Sequence, residues 1–204
     1  VMVIFVIGLT ISGISIYKEY SLPPEEVIVR ALNDMNHAPS YTFHSISKRL
    51  LADKEEILNE VWGEKNNNST HLKGKIHLVN GEFEVYQIDD QYYRQDNITK
   101  EWLTIDHMGE EAAEKLMQEI NPLAMLNFTS PIEVEFVEKE KVGDVMCKKY
   151  HVAAYNENEY MTALWHNFFY TLWIDKKGQL CQAEIIAVNK ENETQQLMMQ
   201  LQIE

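Results

Sequence analysis

The sequence predicts an α+β fold: a large, curved antiparallel sheet of about eleven strands, with amphipathic helices on its concave side. Three observations predict it. From Ser40 onward, apolar residues recur mainly with a period of two, in short runs separated by turn residues. Two stretches break that rhythm with helical spacing, and a third with the same spacing precedes it. Most connections between the strand-like runs are too short for a crossover, so neighbouring strands must pair antiparallel. A sheet with that many strands curls rather than staying flat.

The chain opens on Val1–Tyr17, which is uncharged and nearly all apolar; every charge lies after it, for a net of -14. As a helix this run would span about 25 Å, against roughly 30 Å of bilayer hydrocarbon. We read residues 1–20 as an N-terminal transmembrane anchor or signal segment and 21–204 as one domain on the extracytoplasmic side. Retention as an anchor is the reading adopted. Cleavage after the small residues Gly13 and Ser15, or burial as a core helix, stand as alternatives. No Cys lies nearby to accept a lipid.

Ser21-Leu22-Pro23-Pro24 breaks the leader from a first helix. Pro24 suits its first turn, and Glu25 and Glu26 complement its positive end. Val27, Ile28, Ala31, Leu32 and Met35 draw one helical face, and Asn36-His37-Ala38-Pro39 ends it. Six strands follow: Tyr41–Leu51, Ile57–Gly63, His71–Val79, Glu82–Ile88, Gln91–Gln95 and Trp102–Ile105. Asn80-Gly81 predicts a two-residue hairpin with positive φ at both positions. Asp89-Asp90, Asp96-Asn97 and Asn66-Asn67-Asn68 mark further turns.

A second helix is expected over Gly109–Asn121, its face drawn by Ala112, Ala113, Leu116, Met117 and Ile120, with Leu123–Phe128 an apolar loop or short turn. Ile132, Val134 and Phe136 alternate against Glu133 and Glu135 as a strand with one wet face, and Val145–Ala154 follows. Asn158–His166 predicts a third helix, with Tyr160, Met161, Leu164 and Trp165 on one side. Strands over Phe168–Asp175, Leu180–Val188 and Gln195–Ile203 finish the chain.

Composition excludes several classes of partner. The acidic balance opposes nucleic acid, whose phosphates need compensating Lys and Arg. It also opposes a broad electrostatic grip on anionic headgroups. Two cysteines, Cys147 and Cys181, are too few for a disulfide scaffold. Their strands flank a third, which sets their Cα atoms about 9–10 Å apart and favours separate buried thiols.

No catalytic or cofactor motif stands out: there is no G-x-S-x-G elbow, no phosphate-cradling glycine loop, no H-E-x-x-H and no C-x-x-C. His71 and His77 lie six apart, and His107, His151 and His166 have no carboxylate or Cys at ligand spacing. Glu110, Glu111 and Glu114 read as the solvated face of a helix, and Glu133, Glu135, Glu138 and Glu140 as a wet strand face. No enzyme, metal or cofactor is expected. What is distinctive is apolar: Met35, Met117, Met125, Met161 and Trp165 fall on faces that should point at the sheet, and Met-lined surfaces accept ligands of loose shape.

The order of elements resembles the bacterial lipoprotein-carrier superfamily, the LolA, LppX and LprG-like proteins. The local matches are Tyr92-Tyr93-Arg94-Gln95-Asp96 followed by Glu101-Trp102-Leu103, and the hairpin Leu172-Trp173-Ile174-Asp175-Lys176-Lys177-Gly178-Gln179-Leu180. The resemblance implies a half-barrel sheet capped by helices, with an apolar cavity for acyl chains and no catalytic residues. This chain lacks the lipobox Cys, so anchoring would fall to Val1–Tyr17. The expected function is a membrane-tethered, non-enzymatic domain binding a lipid or lipidated protein. The residues expected to line its cavity, from their helical and strand spacing, are Val27, Leu32, Met35, Leu116, Met117, Ile120, Leu123, Met125 and Trp165. The alternative is an envelope sensor or protein-interaction module of the same fold with a filled core and an envelope protein as partner.

Overall fold

The computed structural model describes residues 22–52, 54–89, 91–104, 120–128 and 133–204. The leader, and the second expected helix up to residue 119 with Leu116 and Met117, lie outside the described residues. Helix α1 (Pro24–His37) starts with Pro24 in its first turn beside Glu25 and Glu26. It stops because Ala38 precedes a proline and takes an extended conformation, φ -61° and ψ 137°. Its buried stripe is Ile28, Ala31, Leu32 and Met35.

All eleven strands form one open sheet. They are β1 (Ser40–Leu51), β2 (Lys54–Asn66), β3 (Ser69–Ile76), β4 (Gly81–Ile88), β5 (Gln91–Gln95), β6 (Trp102–Thr104), β7 (Glu133–Val142), β8 (Val145–Ala153), β9 (Trp165–Asp175), β10 (Leu180–Asn189) and β11 (Gln195–Ile203). Their order is β6-β5-β4-β3-β2-β1-β11-β10-β9-β8-β7, antiparallel throughout. Two meanders, β1–β6 and β7–β11, therefore meet where β1 pairs β11. The sheet curves as a half-barrel without closing. Two-residue loops close four of its hairpins, with left-handed backbone at Ala52 (φ 47°), Asn67 (φ 50°), Asp89 (φ 52°) and Gly143 (φ 57°).

One face of the sheet is apolar. Phe43, Val61, Leu72 and Val85 continue across β1–β4, and Leu201, Ala183, Leu172 and Tyr150 across β11–β8, in one buried cluster with the α1 stripe. Register brings them together: Leu72 stands opposite Val85 and Gly63, while Ala183 stands opposite Leu201 and Leu172. On this inner face the Phe43 ring lies over Gly63 and the Phe83 ring over Gly74, each filling the space a Cβ would need. Helix α1 rests against β7 and β10.

The Asn80-Gly81 hairpin is corrected. Strand β3 ends at Ile76, a 3-10 turn covers His77–Val79, and only Asn80 is left-handed (φ 48°), so that Gly81 begins β4 opposite Ile76. This longer loop sets a register that puts Lys73 and Lys75 opposite Glu84 and Glu82 and stacks His71 on Tyr86. The third helix is also shorter than expected. Helix α2 (Glu159–Leu164) stops one residue before Trp165, which starts β9 because its indole is needed in the core opposite Asn189. The expected apolar turn is a 3-10 strap over Pro122–Leu126, with Pro122, Met125 and Leu126 buried. Strand β7 runs on past Phe136 to Val142 through a bulge at Val137.

The Gly63→Ala variant should unfold at lower urea than the parent, with a loss of about 1–3 kcal/mol, since the added methyl forces a buried ring aside. An unchanged midpoint in chemical denaturation would contradict this packing.

Candidate functional site

The inner face and the elements laid across it form the candidate site. Seven of the nine expected lining residues are described; all seven belong to the apolar cluster or pack against it, and only Leu123 and Trp165 border the cavities described below, each a different one. Leu32, Met35, Met125 and Trp165 are buried in the core cluster, and Val27, Ile120 and Leu123 pack against it half-buried. Helix α1 delivers the first two and Val27, the strap delivers Leu123 and Met125, and β9 delivers Trp165.

A polar knot fastens the strap. The buried Asn156 amide donates to the Met125 carbonyl and to the Tyr170 hydroxyl oxygen, both at 2.9 Å, while its carbonyl accepts from the Asn158 amide at 2.8 Å. Beside it Phe128 bridges to Asn156, Glu157 N–H donates to the Asn127 carbonyl at 3.0 Å, and the Phe128 and Tyr170 rings pack at 4.7 Å. Asn121 caps the strap by accepting from Leu123 N–H at 3.1 Å. Sequence reasoning missed Asn156 and Asn158, because a single Asn in a polar run reads as a turn residue. Only the fold brings it beneath Met125.

Two cavities border this region. One of about 310 Å³ lies between the C-terminal end of α1 and the strap, among Asn36, Tyr41, Lys65, Asn121, Leu123 and Leu126. The other, of about 470 Å³, opens where β9 begins, and Trp165 is among the residues around it. A third, of about 450 Å³, lies on the opposite face of the sheet, bordered by His44, Trp62, Glu64, His71, Lys73 and Gln202. On that outer face His44 stacks on Trp62 and bonds Glu60 at 2.9 Å, and His71 stacks on Tyr86 and bonds Glu84 at 2.9 Å.

Among the described residues no three His, Cys, Asp or Glu side chains gather as a metal site. Cys147 and Cys181 are free thiols on the strands flanking β9, as expected, the first buried and the second half-buried, and each donates to a backbone carbonyl two residues back, Val145 at 3.8 Å and Gln179 at 3.7 Å. Burial pushes the Cys147 thiol up to about 12, and the neighbouring Cys181 adds to the shift. A thiol held protonated in this way is a poor nucleophile.

Neither a family model nor a curated protein matches the sequence. Solved structures do. LppX, a lipoprotein of Mycobacterium tuberculosis, superposes with a TM-score of 0.55 at 10% identity over 88% of this chain and 92% of its own. LprF from Mycobacterium bovis gives 0.50 at 8% identity, over 87% and 90%. At these identities the likeness is one of fold. The chain shares the curved, open half-barrel fold of LppX and LprF.

Tyr170 supplies a pH test of the knot. Burial raises its phenol from 10.0 to about 12, partly offset by the Asn156 hydrogen bond. The neutral phenol therefore contributes stability that is complete below pH 10 and lost as the pH rises through 12, a change of about 2–3 kcal/mol. The Tyr170→Phe variant should show a shallower fall in unfolding free energy between pH 10 and 12. Parallel curves for variant and parent would refute the assignment.

Proposed function

We propose that this chain is an extracytoplasmic, non-enzymatic domain that binds an apolar ligand, a lipid or the acyl chains of a lipidated protein, against the inner face of its sheet. The observation that carries the reading is the continuous apolar face, roofed by α1 and the strap, in a fold shared with the lipoprotein LppX. Met35, Met125 and Met199 on that face are unbranched and adapt to chains of different shape. Each CH₂ removed from water contributes about 0.8 kcal/mol, so a long chain binds firmly without polar recognition. Val27, Leu32, Met35, Ile120, Leu123, Met125 and Trp165 are the contact residues, with Leu116 and Met117 added on their helical spacing. Val1–Tyr17 tethers the domain to the membrane; removed, it would leave a shuttling carrier.

A second reading has its own support. Phe43 over Gly63 and Phe83 over Gly74 fill the β1–β4 side of the hollow with the chain's own rings. A domain filled throughout in this way would be a sensor or interaction module for an envelope protein.

Native mass spectrometry of the full chain, with titration of a fluorescent fatty acid, separates the two. Lipid binding predicts co-purifying acyl species and saturable uptake. Val27→Asp should weaken uptake about tenfold while leaving the fold intact, because a carboxylate near the start of α1 complements the helix dipole. The absence of both bound lipid and uptake, with one dominant protein caught by cross-linking, would establish the second reading instead.

A further inference from the structure

Strand β9 does not begin as regular sheet. His166 stands opposite Val188 and Phe169 opposite Ile186, so Asn167 and Phe168 together face Ala187, and Asn167 takes a left-handed φ of 51°. The bulge sends Phe168 into the core, 8% exposed, while Phe169 stays 61% exposed. The cavity of about 470 Å³ opens at this kink, lined by Ala154, Tyr155, Trp165, Phe168, Phe169 and Lys190. Ligand pockets span about 300–1,000 Å³, so an acyl segment fits.

Its floor and its rim differ. Ala154, Trp165 and Phe168 belong to the buried cluster of the inner face, so the floor is the candidate site itself. The rim is apolar yet exposed: Tyr155 at 75%, with Leu164 and Tyr160 one helical turn apart on the neighbouring α2. Large apolar side chains grouped around an opening mark a contact surface. Two of the polar groups here lack a partner of their own. Lys190 is exposed with no carboxylate partner among the described residues, and His166 Nε2 is buried without one. An apolar slot beside a free ammonium suits an amphiphile with an anionic head. With a net charge of -14 the chain as a whole repels an anionic surface, so affinity must come from the apolar rim and Lys190 can only orient the head.

We infer that the opening at the start of β9 is the mouth through which the acyl chain of an anionic phospholipid passes between a bilayer and the inner face. This rests on the lipid-binding reading above. The test uses the full chain, donor and acceptor vesicles of phosphatidylcholine with one-fifth phosphatidylglycerol, and a fluorescent phosphatidylglycerol as the transferred lipid. A double variant, Leu164→Glu with Phe169→Glu, alters only exposed positions and should keep the fold. Its transfer rate should fall at least tenfold, while lipid loaded from detergent is held as in the parent by native mass spectrometry. Lys190→Gln should slow transfer of phosphatidylglycerol about threefold and leave phosphatidylcholine unchanged. Parental transfer by the double variant, with lipid still bound, overturns the mouth but not the binding domain. Equal slowing of both lipids by Lys190→Gln overturns the anionic head. Failure of the parent to hold any lipid removes the binding reading, and the mouth with it.

Discussion

The pairing of β1 with β11 is the constraint on which the rest of the molecule depends. It runs in unbroken register from Phe43 opposite Ile203 to Leu51 opposite Gln195. Each meander could form from local hairpins, but only this seam turns two ribbons into one sheet wide enough to curve around a core. It joins residues about 150 positions apart, so its loop-closure entropy must be met before Phe43 and Leu201 bury their side chains together. The seam is also where α1 leads into the sheet, because Pro39 is followed at once by β1.

The two faces are stabilised by different physics. The inner face is apolar burial, continuous from Val85 through Leu201 to Tyr150. The outer face relies on cross-strand pairs: His44 on Trp62, His71 on Tyr86, and Lys149 lying over Trp173 while reaching Glu140 at 3.1 Å. Trp173 N–H also donates to Glu140 at 3.0 Å, which with Lys149 lowers that carboxylate's pKa. Exposed pairs contribute about 0–1 kcal/mol each, so they fix register more than they add stability.

Strands whose side chains alternate cleanly were legible residue by residue; β5 and β11 lie where their pattern puts them, and α1 follows from Pro24 and its apolar stripe. Loops were less so. Asn80-Gly81 has the composition of a tight turn, yet cross-strand pairing between β3 and β4 moved the turn back by several residues, a tertiary preference that no local signal carries. Trp165 sits at helical spacing from Met161, but burial beside Asn189 and the β9 bulge outweighed one more helical residue. Around the candidate site, the buried stripe of α1 was readable from periodicity and the strap from its apolar run. The Asn156 knot was not, because it joins groups that only the folded chain brings within reach.

An open sheet has two free edges, and an unguarded edge recruits strands from other molecules. Here both ends are poor templates. Strand β6 is three residues long, too short to nucleate an intermolecular ladder. Strand β7 is longer, but its bulge at Val137 breaks the row of backbone donors and acceptors, and Glu138, Lys139, Glu140 and Lys141 line the part beyond it with charge. Val137 therefore spends a ladder position to keep the half-barrel from polymerising edge to edge, which lets the sheet stay open without becoming the seed of a fibre.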